Sequence, residues 1–125
     1  MSQQSPSISR NQDISLNNEK VYDDGYLRVE HGNYYVACGG DAIPLSRTEF
    51  LIVSRLARSL GRVVAVDEIW RYAWNADVPF NVQSLRVHIF RLREKLLPFG
   101  LAIDTMVNVG YRLSVSRNGA RDRRH

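Results

Sequence analysis

The chain has 125 residues, 44% of them apolar, and a net charge of +4, which suits one folded domain with a modest core. No apolar run is long enough to span a bilayer and the N-terminus has no signal-peptide apolar region, so the expected location is cytoplasmic, with no membrane partner. The charge is divided: residues 21–46 carry a net −3, whereas residues 81–125 set nine Arg or Lys against Glu94, Asp104 and Asp122 for a net +6, so one end attracts a polyanion and the other does not.

Residues 1–20 are rich in Ser, Gln and Asn and predict a disordered leader or linker. From Val21 to Leu45 short strands alternate with turns. Tyr26 to Glu30 and Tyr34 to Cys38 are strand-like around a His31-Gly32-Asn33 turn. Gly39-Gly40-Asp41 then turns into Ala42 to Leu45, and Val21-Tyr22 can add one more strand. In the second of these strands Tyr34 and Tyr35 alternate, so one is expected inward and the other outward. Cys38 is the only cysteine. It excludes an internal disulfide and a cysteine zinc cluster, and gives weak support to a reducing compartment.

The first helix has a marked start. Ser46 and Glu49 form a Ser-x-x-Glu capping box, with Leu45 and Phe50 at the flanking apolar staple positions. Phe50, Val53, Leu56 and Leu60 make the buried stripe and Gly61 the stop. A second helix covers about Val66 to Tyr72, with Ile69, Trp70 and Ala73 inward and Asp67 and Glu68 at its positive end. After the loop Trp74 to Phe80, Asn81 caps a third helix, Val82 to Leu97. There Leu85, Ile89, Leu92 and Leu96 form one apolar stripe, and the other face carries Gln83, Ser84, Arg86, Val87, Phe90 and Arg91. Pro98 and Gly100 close it. Ala102 to Met106 and Tyr111 to Val115 form a hairpin, with Asn108 a candidate for φ > 0 at its tip. Residues 116–125 predict a basic flexible tail. A helix anchored on one side and basic on the other fits the major groove of DNA, and a cationic hairpin beside it can reach the neighbouring backbone.

Four motifs in this order and spacing carry a resemblance. They are Leu45-Ser46-x-x-Glu49-Phe50, Gly61-x-Val63, Val87-His88-Ile89-x-Arg91-Leu92-Arg93-x-Lys95-Leu96, and Gly110-Tyr111-Arg112-Leu113. Over residues 21–115 the chain resembles the DNA-binding effector domain of OmpR/PhoB-type response regulators of two-component regulatory systems. The resemblance implies an α+β winged helix-turn-helix: an N-terminal antiparallel sheet of four strands, three helices and a C-terminal β-hairpin wing at residues 102–115. It implies that the third helix is the recognition helix. By position, Gln83 and Ser84 match backbone contacts, and Arg86, Val87, Phe90 and Arg91 match positions facing bases or phosphates. His88 and Arg93 match further phosphate-side positions, and Thr105 and Tyr111 match wing contacts. In that family the loop between the second and third helices often faces RNA polymerase. Here that loop holds Trp74, Asn75, Asp77, Val78 and Phe80. No receiver domain stands in this sequence, which fits either a piece of a receiver-containing protein or a single-domain regulator.

The chain also departs from the family pattern. Position 90 is often basic and is Phe here, and position 86 is often acidic and is Arg here. Val107-Asn108 replaces a usual Arg-Gly in the wing, and Ala65 stands where Ser or Thr usually caps the second helix. Such changes imply DNA binding that is weaker, or specific for a different sequence, compared with close family members.

Other chemistry finds little support. His88 has no His, Cys or carboxylate cluster at ligand spacing, so no metal is expected. Asp23 and Asp24 read as turn residues, Cys38 has no base to activate it, and Trp70 reads as core. No nucleophile–base set or phosphate loop is present, so no enzyme, cofactor or small-molecule substrate is expected. The expected function is a sequence-specific transcriptional regulator of double-stranded DNA. Its helix 82–97 would lie in the major groove, and its wing, through Thr105, Tyr111 and Arg112, on the backbone or minor groove. Two copies would sit on repeated half-sites. The alternative is a protein-interaction module of the same fold, with RNA polymerase or a sensor as partner and weak or lost DNA binding. Phe90, Val107 and the loop 74–80 motivate it.

Overall fold

The computed structural model describes residues 20–115; the expected leader and tail lie outside them. Strands β1 (Val21–Asp23), β2 (Leu27–Glu30), β3 (Tyr35–Cys38) and β4 (Asp41–Ala42) form an antiparallel sheet in sequence order. In β2, Leu27 and Val29 point into the core, while Arg28 lies outward and pairs with both Asp23 and Glu30 at 2.7 Å. The β1–β2 turn is held by the Asp24 carboxylate, which accepts from the Tyr26 and Leu27 amides at 2.9 and 2.8 Å.

Two expectations here are corrected. The β2–β3 turn extends through Tyr34, which has φ +52°, so Tyr34 is a turn residue and the two tyrosines do not alternate across a strand. Tyr34 instead lays its ring against Phe50 at 5.1 Å and stays half exposed, as does Tyr35. Strand β4 is shorter than Ala42 to Leu45, because Pro44 has no N–H to continue a ladder.

Helix α1 (Arg47–Ala57) starts at the expected capping box. Phe50, Val53 and Leu56 are buried, together with Ile52, whereas Leu60 lies past the helix end and only partly covers the core. Helix α2 (Val66–Ala73) starts at Ala65 without a side-chain cap. Helix α3 (Val82–Leu96) runs on into a single 3₁₀ turn, Leu97–Phe99, and Gly100 ends it in the left-handed region at φ +77°.

The C-terminal sheet has three strands, in the order β5 (Val64–Ala65), β7 (Gly110–Val115), β6 (Leu101–Met106). The hairpin β6–β7 was expected and β5 was not, because two residues are too few to show a period. Asn108 has φ +64° at the tip. At Gly110 the backbones of β5 and β7 come so close that a Cβ would lie 1.9 Å from the Val64 carbonyl oxygen. One apolar cluster joins both sheets and all three helices, including Leu27, Phe50, Ile69, Leu85, Leu92 and Leu113.

A polar chain runs from the edge of this core to the surface. His31 Nδ1 lies 2.6 Å from Ser54 Oγ, Ser54 Oγ lies 3.0 Å from the Tyr72 hydroxyl, and Arg58 Nε–H donates to that hydroxyl at 3.2 Å. Burial, reinforced by the Arg58 charge, pushes the His31 ring down to about 4 from 6.5.

Two outcomes are expected. Gly110→Ala forces β5 and β7 apart and costs at least ~3 kcal/mol, seen as a lower urea midpoint. His31 is neutral in the fold, so its contribution is complete above about pH 6.5 and is lost as pH falls towards 4. The loss is on the order of 2–3 kcal/mol. Thermal unfolding at pH 7 and pH 4.5 should show a smaller difference for His31→Gln than for the wild-type chain.

Candidate nucleic-acid interface

Helix α3 has two opposed faces. Leu85, Ile89, Leu92 and Leu96 are fully buried. At 100° per residue, the line opposite them is Gln83, Val87 and Glu94, with Phe90 about 50° to one side, Arg91 about 50° to the other, and Arg86 further round beside Phe90, all exposed. Phe90 is 61% exposed and Val87 45%. Among the described residues, neither Arg86 nor Arg91 meets a carboxylate.

Other groups fix how α3 presents this face. The Asn81 side chain accepts from the Ser84 amide at 3.1 Å and caps the helix. His88 Nδ1–H donates to the Ser84 carbonyl at 2.8 Å, and its ring stands edge-on to Trp74 at 5.2 Å. Lys95 Nζ donates to Glu49 Oε1 at 2.7 Å, and the same oxygen accepts from the Ser46 amide at 2.9 Å. Burial alone would raise the Glu49 carboxyl, but the Lys95 and Ser46 hydrogen bonds outweigh it and hold the group below its ordinary value. The sequence shows Glu49 as a helix cap. Its second partner lies far along the chain, and no local spacing points to it.

Several expected contact residues have structural work here. The Arg93 guanidinium donates to the Ile103 carbonyl at 2.8 Å and to Thr105 Oγ1 at 2.5 Å, fastening α3 to the wing. Arg112 pairs with Asp104 across the β6–β7 ladder at 3.0 Å, and Ser114 donates to the same carboxylate. Tyr111, expected as a wing contact, is only 7% exposed and belongs to the core, because β7 lies between β5 and β6. Thr105 is at the surface, and the wing tip is apolar, with Met106, Val107 and Val109 exposed.

The loop 74–80 folds back on α2. Trp74 stacks on Trp70 at 3.9 Å, Phe80 meets Trp70 edge-on at 5.4 Å, and Trp70 Nε1–H donates to the Val78 carbonyl at 3.2 Å. Trp74 is therefore half buried, while Asn75, Asp77, Val78 and Phe80 face outward. Cys38 is buried, and burial together with the Asp24 charge pushes its thiol up to about 12, far from a nucleophile. Among the described residues no group of three His, Cys, Asp or Glu could hold a metal ion, and no helix is long and apolar enough to cross a membrane.

Comparison with known proteins gives the same architecture. The family model described as "Transcriptional regulatory protein, C terminal" matches residues 40–113. The transcriptional regulatory protein VxrB of Vibrio cholerae is 34% identical over 87 residues, 70% of this chain and 35% of the relative. Among solved structures, the response regulator DrrB of Thermotoga maritima, described as an OmpR/PhoB homolog, aligns with TM-score 0.60 and 27% identity. That match covers 76% of this chain and 44% of DrrB. The DNA-binding domain of Klebsiella pneumoniae RstA, crystallised with the RstA box, aligns with TM-score 0.63 and 29% identity over 76% of this chain and 97% of that domain. The chain spans about a third to two fifths of the length of the curated relatives it matches. It belongs to the transcriptional regulatory protein C-terminal family, the OmpR/PhoB-type winged-helix DNA-binding domains.

The Glu49–Lys95 pair is open to a double-mutant cycle. Lys95→Met leaves a buried carboxylate short of a donor and lowers stability by about 1–3 kcal/mol in urea unfolding. Adding Glu49→Gln to that variant should restore part of the loss, since no charge is then left buried.

Proposed function

We propose that this chain binds double-stranded DNA sequence-specifically, with α3 in the major groove and the β6–β7 wing over the adjacent backbone or minor groove. The observation that carries the proposal is the division of the basic side chains. Arg93, Lys95 and Arg112 are held by partners within the protein. Arg86 and Arg91 are left outward on the two flanks of the helix face that points away from the core. That is the arrangement a helix needs to straddle a groove, with a cation towards each phosphate wall. The family membership and the similarity to a domain solved with its DNA box support the same reading. One such module covers few base pairs, so two copies on repeated half-sites are part of the proposal.

The loop 74–80 is proposed as a separate docking surface for RNA polymerase. Its backbone is pinned by Trp70, while Val78 and Phe80 face outward. The reading that puts protein partners in place of DNA draws on the exposed Phe90 and Val107. It requires that the chain shift no duplex DNA even at low salt.

Fluorescence anisotropy with duplex DNA over a salt series tests the proposal. Arg86→Ala and Arg91→Ala should each weaken binding roughly 5- to 100-fold, or reduce the salt slope by about 1 where the lost contact is to a phosphate. Arg28→Ala on the N-terminal sheet should change neither. Unaltered binding in both α3 variants, with the fold intact, would refute the assignment.

A further inference from the structure

The line of α3 that projects furthest from the core is not cationic. Val87 lies on it, with Phe90 about 50° to one side, Arg91 about 50° to the other, and Arg86 further round beside Phe90. Phe90 has no ring partner among the described residues and is 61% exposed. It stands at the rim of a shallow apolar groove formed with Arg93, Leu97, Ala102 and Ile103. If α3 enters a major groove, Arg86, about 90° round the helix, stays nearest a wall, while Val87 goes deepest and Phe90 reaches the base edges beside it.

Neither side chain can make a hydrogen bond. Pressed against the carbonyl and amino groups of a G·C pair, they would strip water from polar edges and return nothing. The single apolar group that base edges display in the major groove is the thymine 5-methyl. Three residues along a helix advance about 4.5 Å, against about 3.4 Å per nucleotide along one strand. Two methyls one or two steps apart therefore match Val87 and Phe90 together. Gln83 and Glu94, on the same line at either end, carry the polar groups for the flanking pairs.

We infer that Val87 and Phe90 read thymine methyl groups, so that each half-site has at its centre two thymines one or two base-pair steps apart. The inference rests on the DNA-binding reading above and adds the bases that it selects.

Bound sequences are selected from a random duplex pool with the full chain, and the selected site is remade with deoxyuridine in place of the two central thymines, which removes only the methyl groups. The expected result is a thymine pair in the selected motif and a Kd about 3- to 5-fold higher per methyl removed. Phe90→Ala and Val87→Ala, both surface changes, should each lose the response to one of the two replacements. A selected motif without the thymine pair, or wild-type binding that ignores deoxyuridine, overturns the inference while leaving DNA binding in place. It would then assign Phe90 to the groove beside Leu97 and Ile103. Absence of any DNA binding overturns both readings.

Discussion

One carboxylate oxygen holds the architecture to its purpose. Glu49 Oε1 accepts from the backbone amide that opens α1 and from the ammonium near the end of α3. The apolar stripe of α3 can bury its leucines and still leave the helix free to slide or turn slightly, since hydrophobic packing is not directional. A buried charge with two fixed donors does have direction. At the other edge of the helix, Arg93 makes two bonds to β6 and adds a second directional tie. Between them they hold α3 in the rotation that its buried stripe selects.

These ties also explain the distribution of charge. The C-terminal part of the chain is rich in arginine and lysine, but within the described residues most of that charge is spent on internal partners. Counting basic residues therefore overstates the cationic surface of α3. What remains outward is two arginines around an apolar centre, and a wing whose tip is Val107-Asn108-Val109 rather than a cation. In the N-terminal sheet, Arg28 pairs with both Asp23 and Glu30, so that sheet offers no uncompensated positive charge from that residue.

The wing depends on a close approach that only one residue type permits. Gly110 lets β7 lie against β5, which makes the hairpin the outer part of a three-stranded sheet and not a free ribbon. An isolated two-stranded hairpin is marginal in water. The third strand, and the Gly61 amide donating to the Leu113 carbonyl at 3.0 Å, anchor its base to the segment after α1. Burial of Tyr111 is the consequence.

The three helices, the β6–β7 hairpin and most of the N-terminal sheet were legible in the residues alone, because these follow from rules of short range. The Ser46–Glu49 box, the Asn81 cap, the four-residue rhythm of Leu85 to Leu96 and the turn at Asn108 are all local. The exposed Arg86, Val87, Phe90 and Arg91 were also legible, since a helix that buries one line must show the opposite one. Tertiary structure alone decided the rest. It paired Val64 with Tyr111 and Glu49 with Lys95, tied Arg93 and Arg112 to partners on β6, and set the His88 ring edge-on to Trp74. Each of these joins residues distant in the chain or selects among rotamers of long side chains, and neither choice leaves a periodic mark in the sequence.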